Sequence, residues 1–255
     1  MRFLACLLTL QHHSSQEPLL FAEYVRLRQD ILMAFFPTEH ACPHLLTVAC
    51  LRSDQHQTVL RLTLAEEQQH STLSQLLRRV HSGQPILFCQ RSGEISAFDI
   101  SDPTWTGMST WADVQTSQGS ASFRFIFATP LITALPPARE SLDALPFPEP
   151  ETVFARALEQ WQSFSGPAFP CSAKQMVQAA RCVLADYRLH TVAIPLAPFP
   201  VVGYLGWVEY RCLQPQAEAI MALAALARLT FFTGCGYEAA TGFGTTRAVL
   251  RERGS

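Results

Sequence analysis

Along the first 115 residues, apolar positions recur with two different periods. Residues 2–10 are almost continuously apolar, as expected of a buried opening strand. Residues 18–35 place Leu19, Leu20, Tyr24, Leu27, Ile31, Leu32 and Phe35 close to helical spacing, and Pro37 ends the run. Residues 45–51 and 59–64 read as short strands, with Ser53-Asp54 turn chemistry suggesting a hairpin between them. A second helix is predicted over 71–81, with Leu73, Leu76, Leu77 and Val80 on one side and Gly83 where a helix stop belongs. Residues 85–90 read as the last strand, and 95–100 as an extension of the sheet. Strand, helix, strand, strand, helix, strand is the ferredoxin-like plan.

The polar segment 113–120, DVQTSQGS, marks the boundary between two domains, taken as 1–117 and 118–255. The second half repeats the plan with insertions. A strand over 123–129 leads into a proline-rich loop and a helix over 151–164. An extra helix is predicted over about 172–186, then strands over 190–195 and 201–212. A strongly apolar helix over 215–232 and a closing strand over 245–250 complete it. The predicted fold class is therefore α+β, two tandem ferredoxin-like (βαββαβ) domains with a C-terminal glycine-rich loop.

Composition narrows the class without deciding it. The chain has 255 residues, 48% of them apolar and 16% charged, so it can bury sizeable cores and disorder is not expected. A net charge of −2 argues mildly against nucleic-acid binding. The basic residues are nevertheless 18 arginines and the single lysine Lys174. A guanidinium matches phosphate and stacks on bases, although high genomic G+C content produces the same bias. The eight cysteines form no C-x-x-C pair and mostly sit in apolar runs, which points to a reducing cytosol and no zinc site. The first residues, MRFLACLLTLQHH, lack a small-residue cleavage site, and the apolar stretch 217–232 is interrupted by Glu218 and Arg228. No membrane association and no cofactor are expected.

The most specific motif follows the apolar helix: FTGCGYEAATGFGTTRAVL, with Gly234, Gly236, Gly242 and Gly244 as its skeleton. Glycines adopt positive φ cheaply and admit another backbone closely, and such a loop can aim successive N–H groups at a phosphate. The order helix–loop–strand excludes a Rossmann loop, and the absence of GK[ST] excludes a P-loop. The competing account is a turn that only packs the helix against the sheet.

GCGYEAATGFGTTRAV resembles the C-terminal signature of the CRISPR precursor-RNA endoribonucleases, members of a superfamily of repeat-associated RNA-binding proteins. MRFLACLLTL, FRFIFATPLITAL and PVVGYLGWVEYRC are similar to that family's opening, mid-chain and penultimate strands. The resemblance implies metal-independent cleavage of CRISPR repeat RNA to mature guide RNAs. In that reaction a ribose 2′-hydroxyl attacks the adjacent phosphate, leaving 2′,3′-cyclic phosphate and 5′-hydroxyl ends. It further implies a histidine in the loop after the first helix, here within PTEHACPHLLTVACL. His40 falls near the family histidine, as general acid or base. His44 falls where some members carry a phosphate-contacting lysine, as phosphate stabiliser or alternate base. The two could exchange roles, and two histidines four apart in a loop could also be solvated surface. RNA contacts are expected from Gly234, Gly236, Gly242, Gly244 and Arg247, and from Arg26 and Arg28 on the first helix, where a solvated face is an equal account. Tyr24 is read as core.

Two other classes stay open. One is a non-catalytic RNA-binding subunit of a CRISPR effector complex, and the other a tandem module for small ligands or assembly without an RNA role. Expected partners are CRISPR repeat RNA and an effector complex, and a homodimer is left open.

Overall fold

The computed structural model describes residues 1–35, 45–66, 77–78, 85–116, 119–133, 147–164, 169, 171–196, 200–214 and 216–251. Two compact units emerge: Met1–Trp111 with Ala240–Gly242, and Ala112–Ala239 with Phe243–Ser255.

The first unit is built on β1 (Arg2–His12), α1 (Tyr24–Phe35), β2 (Leu45–Ser53), β3 (Gln57–Glu66), β4 (Ile86–Phe88), β5 (Arg91–Asp99) and β6 (Gly107–Thr110). Its antiparallel sheet runs β2-β3-β1-β5-β4, and β6 also pairs with β1. The apolar β1 takes a central place. Leu8 and Leu10 are fully buried, and α1 adds Leu27 and Ile31 to the same core. The β2–β3 hairpin forms as predicted. Asp54 Oδ1 accepts the N–H groups of His56 and Gln57, each at 2.9 Å, which fixes the turn. The predicted helix over 71–81 lies outside the described residues apart from Leu77 and Arg78, which are helical.

One strand assignment needs correction. The strand beside β1 is not 85–90 but β5, which pairs from Leu7↔Asp99 to His12↔Gly93. β6 takes over along the first half of β1, from Arg2↔Thr110 to Ala5↔Gly107. β4 is a short outer strand folded back on β5. The reversal uses positive φ at Cys89 (46°) and Gln90 (62°), the geometry of a two-residue hairpin turn. Cys-Gln carries no glycine or asparagine to announce it. The turn is held from outside its own sequence: the Cys89 N–H donates to Asp30 Oδ2 at 2.7 Å, and Arg91 donates to the Cys89 carbonyl at 3.0 Å.

A short helix, α2 (Trp111–Gln115), precedes the second unit's β7 (Ser122–Leu131), α3 (Pro150–Ser163), α4 (Ala173–Ala179), β8 (Cys182–Ile194), β9 (Val201–Cys212), α5 (Ala217–Thr233) and β10 (Thr246–Arg251). The sheet order β10-β7-β9-β8 is the 4-1-3-2 order of a ferredoxin-like domain. Phe123, Phe125 and Phe127 alternate inward from β7, and Phe154 of α3 meets both Phe123 and Phe125 edge-on at 5.6 Å. α5 buries Leu223, Leu226 and Leu229 completely.

The helix predicted over 172–186 is also corrected. A capping box starts it, with Ser172 Oγ accepting the Gln175 N–H at 3.3 Å and Gln175 Oε1 accepting the Ser172 N–H at 2.8 Å. It stops at Ala179, Arg181 takes φ 45°, and β8 begins at Cys182. β8 is an outer strand, mostly exposed, so its sequence carries little alternation. Pairing with β9 along its length makes it a strand.

Candidate functional site

The glycine loop is a tightly crossed segment seated on the end of β7. Gly234 caps α5 with φ 71° and ψ −173°, and its N–H donates to Thr230 O at 2.9 Å. All four skeleton glycines have positive φ: 71° at Gly234, 85° at Gly236, 95° at Gly242 and 60° at Gly244. Three of them also sit where a side chain has no room. A Cβ on Gly244 would lie 1.8 Å from Cys235 O, and one on Gly236 would lie 2.4 Å from Ile132 O. Ala240–Gly242 group with the first unit, where a Cβ on Gly242 would lie 2.2 Å from Val48 O.

Six of the loop's backbone donors, that of Gly234 included, are committed to the protein itself. Cys235 N–H donates to Gly244 O at 2.8 Å, Gly244 N–H to Pro130 O at 2.9 Å and Tyr237 N–H to Ile132 O at 2.8 Å. Phe243 N–H donates to Glu238 O at 3.3 Å, and Thr245 N–H to Thr129 Oγ1 at 2.8 Å. These groups, with that of Gly234, are therefore not aimed at a bound phosphate. The first task of the glycines is to let the chain cross itself. Tyr237 of the loop is half-buried, beside the exposed Glu238. The Arg156 guanidinium lies 3.8 Å above its ring and donates a hydrogen bond to its hydroxyl, while Glu159 holds the other side of Arg156 at 2.5 Å. Cys235 is buried beneath, and burial pushes its thiol up to about 12.

Register places a second group of chemically active side chains together. On antiparallel strands, directly opposite residues share a face. Arg247 of β10 stands opposite Ile126 of β7, Ile126 opposite Trp207 of β9, and Trp207 opposite Arg188 of β8. The neighbouring rows bring Arg124 opposite Glu209, and Ser122 opposite both Arg211 and Arg251. The inward phenylalanines of β7 occupy the other face, under the helices. One side of this sheet thus carries five arginines and a tryptophan, with Arg188, Arg211 and Arg251 exposed. Arg124 lies 4.3 Å over the Trp207 ring.

Glu209 organises this face. Arg124 grips it through Nε at 2.9 Å and Nη2 at 2.5 Å, Ser122 donates to it at 3.3 Å, and Arg211 and Arg251 approach to 3.7 and 3.9 Å. Burial disfavours its charge, but the hydrogen bonds from Arg124 and Ser122 and the arginine charges outweigh that, so its carboxyl titrates below the ordinary glutamate value. One carboxylate pre-orients three guanidinium groups and leaves the cluster with net positive charge.

The predicted site residues fall into separate places. His40 and His44 lie outside the described residues. Arg247 sits half-buried at one end of the Trp207 row. In the first unit, Arg26 is exposed on α1 and ion-paired with Asp30 at 3.6 Å, and Arg28 is half-buried two residues on. Tyr24 is core, as read: its hydroxyl donates to Cys50 O at 3.2 Å, and burial drives its phenol well above the ordinary value. Among the described residues no three His, Cys, Asp or Glu side chains group to hold a metal ion. Nor, among them, is any helix long and apolar enough to cross a membrane.

Sequence reasoning missed Arg124, Arg188, Trp207 and Arg211. A signal was present. Arg124 occupies the polar phase of the alternating strand FRFIF, and Trp207, Glu209 and Arg211 share one phase of WVEYR.

Comparison with known proteins gives one partial family match and several structural ones. Residues 125–246 match the family model described as CRISPR-associated endoribonuclease Cas6. A Cas6 solved as a product complex matches with TM-score 0.72 at 22% identity, covering 98% of this chain and 100% of that one. A Thermus thermophilus Cas6 in its product complex matches with TM-score 0.74 at 23% identity, covering 97% and 100%. A Cas6-related protein from Pyrococcus furiosus matches with TM-score 0.54 at 9% identity, covering 97% and 98%. At these identities the structural likenesses establish the fold. No curated protein matched significantly in sequence.

Proposed function

Because residues 125–246 match the family model of the CRISPR-associated endoribonuclease Cas6, we propose that this chain is a sequence-specific, metal-independent endoribonuclease that cuts CRISPR repeat precursor RNA into guide RNAs. The observation that carries this reading is the family match over 125–246, which runs through β7, β9 and the whole glycine loop. Product and substrate-mimic complexes of the Cas6 structures with similar folds agree with it.

In the proposed reaction, the ribose 2′-oxygen attacks the adjacent phosphorus as its proton passes to a base. The bond to the 5′-oxygen breaks as an acid protonates the leaving group. Products are a 2′,3′-cyclic phosphate and a 5′-hydroxyl. Imidazole suits both proton transfers because it titrates near neutrality. His40 takes the acid or base role, and His44 stabilises the phosphate or serves as the other base. Cationic donors lower the cost of charge on the phosphorane.

RNA grip is assigned to two surfaces. On the second unit, Arg188, Arg211, Arg247 and Arg251 hold phosphates, while Trp207 offers a stacking plane backed by Arg124. The glycine loop contributes through Tyr237 and the shape of the turn rather than through the N–H groups it has already spent. On the first unit, Arg26 and Arg28 add charge.

The test is incubation of purified protein with the host's repeat RNA in excess EDTA, wild type beside His40→Ala. Site-specific cutting by the wild type and its loss in the variant support the reading. Binding without cutting by the wild type would instead assign the chain as a carrier subunit.

A further inference from the structure

We infer that Cys182 and Cys212 form a reversible disulfide site, which ties the first residue of β8 to the last residue of β9. This goes beyond the proposed cleavage reaction and does not depend on it.

The two cysteines are opposed across the antiparallel pair, Cys182↔Cys212. Antiparallel pairs alternate between two kinds, and the kind decides whether sulfurs can meet. The Cys212 N–H points away from β8, donating to Ala121 O at 2.8 Å. The next residue, Leu213, donates its N–H to Arg181 O at 3.2 Å. Cys182 and Cys212 therefore occupy a non-hydrogen-bonded position. There, opposed Cα atoms lie about 4.5 Å apart and side chains approach most closely. That separation is at the near edge of the range that disulfides span, so the bond forms with little backbone movement. The thiols already hydrogen-bond each other, which, together with burial, raises the Cys182 thiol far above its ordinary value.

Other cysteines on described strands lack this arrangement. Cys6 stands opposite Leu62, and Cys50 opposite Leu60. The pair also has a route to solvent. Its side chains are only 6% and 2% exposed, but Cys182 is the first residue of an outer strand and follows the exposed, positive-φ Arg181. Fraying at that strand end uncovers the thiol without unfolding the core.

The oxidant is a small disulfide such as oxidised glutathione. The Cys182 thiolate attacks one glutathione sulfur, breaking that S–S bond and releasing one glutathione thiol. The Cys212 thiolate then attacks Cys182 Sγ, displacing the second. Two protein thiols are oxidised, one glutathione disulfide is reduced, and two protons leave the protein thiols for the glutathione products. Few thiolates form at these buried positions, so oxidation is slow and limited by opening. Closing the base of the long hairpin restricts the unfolded chain and stabilises the second unit. Both thiols lie in the phase of Tyr210 and Val208, towards the helices, whereas Trp207 and Arg211 face the other way.

The test incubates the full chain with oxidised glutathione, then reads mass, peptide linkage and Tm without reductant. The expected result is a monomer lighter by two hydrogens with a single Cys182–Cys212 linked peptide. Tm should rise by about 5 °C or more, reversed by dithiothreitol. Cys182→Ala and Cys212→Ala should each abolish linkage and shift, whereas Cys171→Ala should keep both. Unchanged mass after prolonged oxidation, a stable glutathione adduct on Cys182, or linkage of another cysteine pair would each overturn the assignment. RNA binding by the oxidised protein should match the reduced form, so loss of RNA activity in both forms speaks to the function and not to this site.

Discussion

At the scale of single residues, the four loop glycines differ in what they tolerate. Gly244 combines φ 60° with a Cβ position 1.8 Å from a backbone oxygen, so no side-chain rotation relieves it. Gly234 has φ 71°, but its nearest neighbours are 3.2 Å away. Gly244→Ala should therefore cost about 3 kcal/mol or more, and Gly234→Ala about 1–2 kcal/mol. Chemical denaturation followed by circular dichroism measures both, and equal losses would contradict this account of the loop. Glu209 supplies a second prediction. Its folded carboxyl titrates below its unfolded value, so it contributes stability above the unfolded value that is lost as pH falls through the folded one. The urea midpoint should fall on acidification from neutral to below about pH 4.5, the ordinary glutamate value, and fall less steeply in Glu209→Gln. The glycine skeleton was legible in the sequence because positive φ selects for glycine. The reason for it was not, because the partners of the loop's N–H groups, Pro130 and Ile132, are about a hundred residues away in sequence.

At the scale of elements, strands and helices with strong periodicity were read correctly and weakly patterned ones were not. β9 lies over Val201–Cys212, as its alternation predicts, and α5 lies within two residues of its predicted start. β8 was split between a helix and a strand because an outer strand exposes most of both faces. β4 and β5 were misassigned because a buried arginine and an aspartate from α1 hold a turn that Cys89-Gln90 does not advertise. The arginine row is likewise a product of strand register, spread over residues 188 to 247. It leads to a graded prediction. Alanine at Arg188, Arg211 or Arg247 should weaken repeat-RNA binding and lower the slope of log K against log salt by about 0.7–0.9 each. Trp207→Ala should weaken binding by about 1–3 kcal/mol, close to 5- to 150-fold, with the salt slope unchanged. Filter binding across a salt series separates the two behaviours. A uniform effect from all four substitutions would remove the distinction between phosphate and base contacts.

At the scale of the whole molecule, two units of the same plan carry different loads. The second holds the arginine face and most of the glycine loop, and the family match over 125–246 falls within it apart from Ala240–Gly242. The first holds the segment with His40 and His44, between α1 and β2. The proposed division of roles gives RNA grip to the arginine face and proton transfer to His40 and His44. On that division His40→Ala should reduce the single-turnover cleavage rate by at least about 10²-fold while changing the RNA Kd less than about threefold. The measurement that bears most directly on the central claim is cleavage of the host's CRISPR repeat RNA by purified protein in excess EDTA, with the product ends identified. The account predicts one cut per repeat, undiminished by the chelator, leaving a 2′,3′-cyclic phosphate and a 5′-hydroxyl. Cutting that appears only with divalent metal, or that leaves a free 3′-hydroxyl, would contradict it.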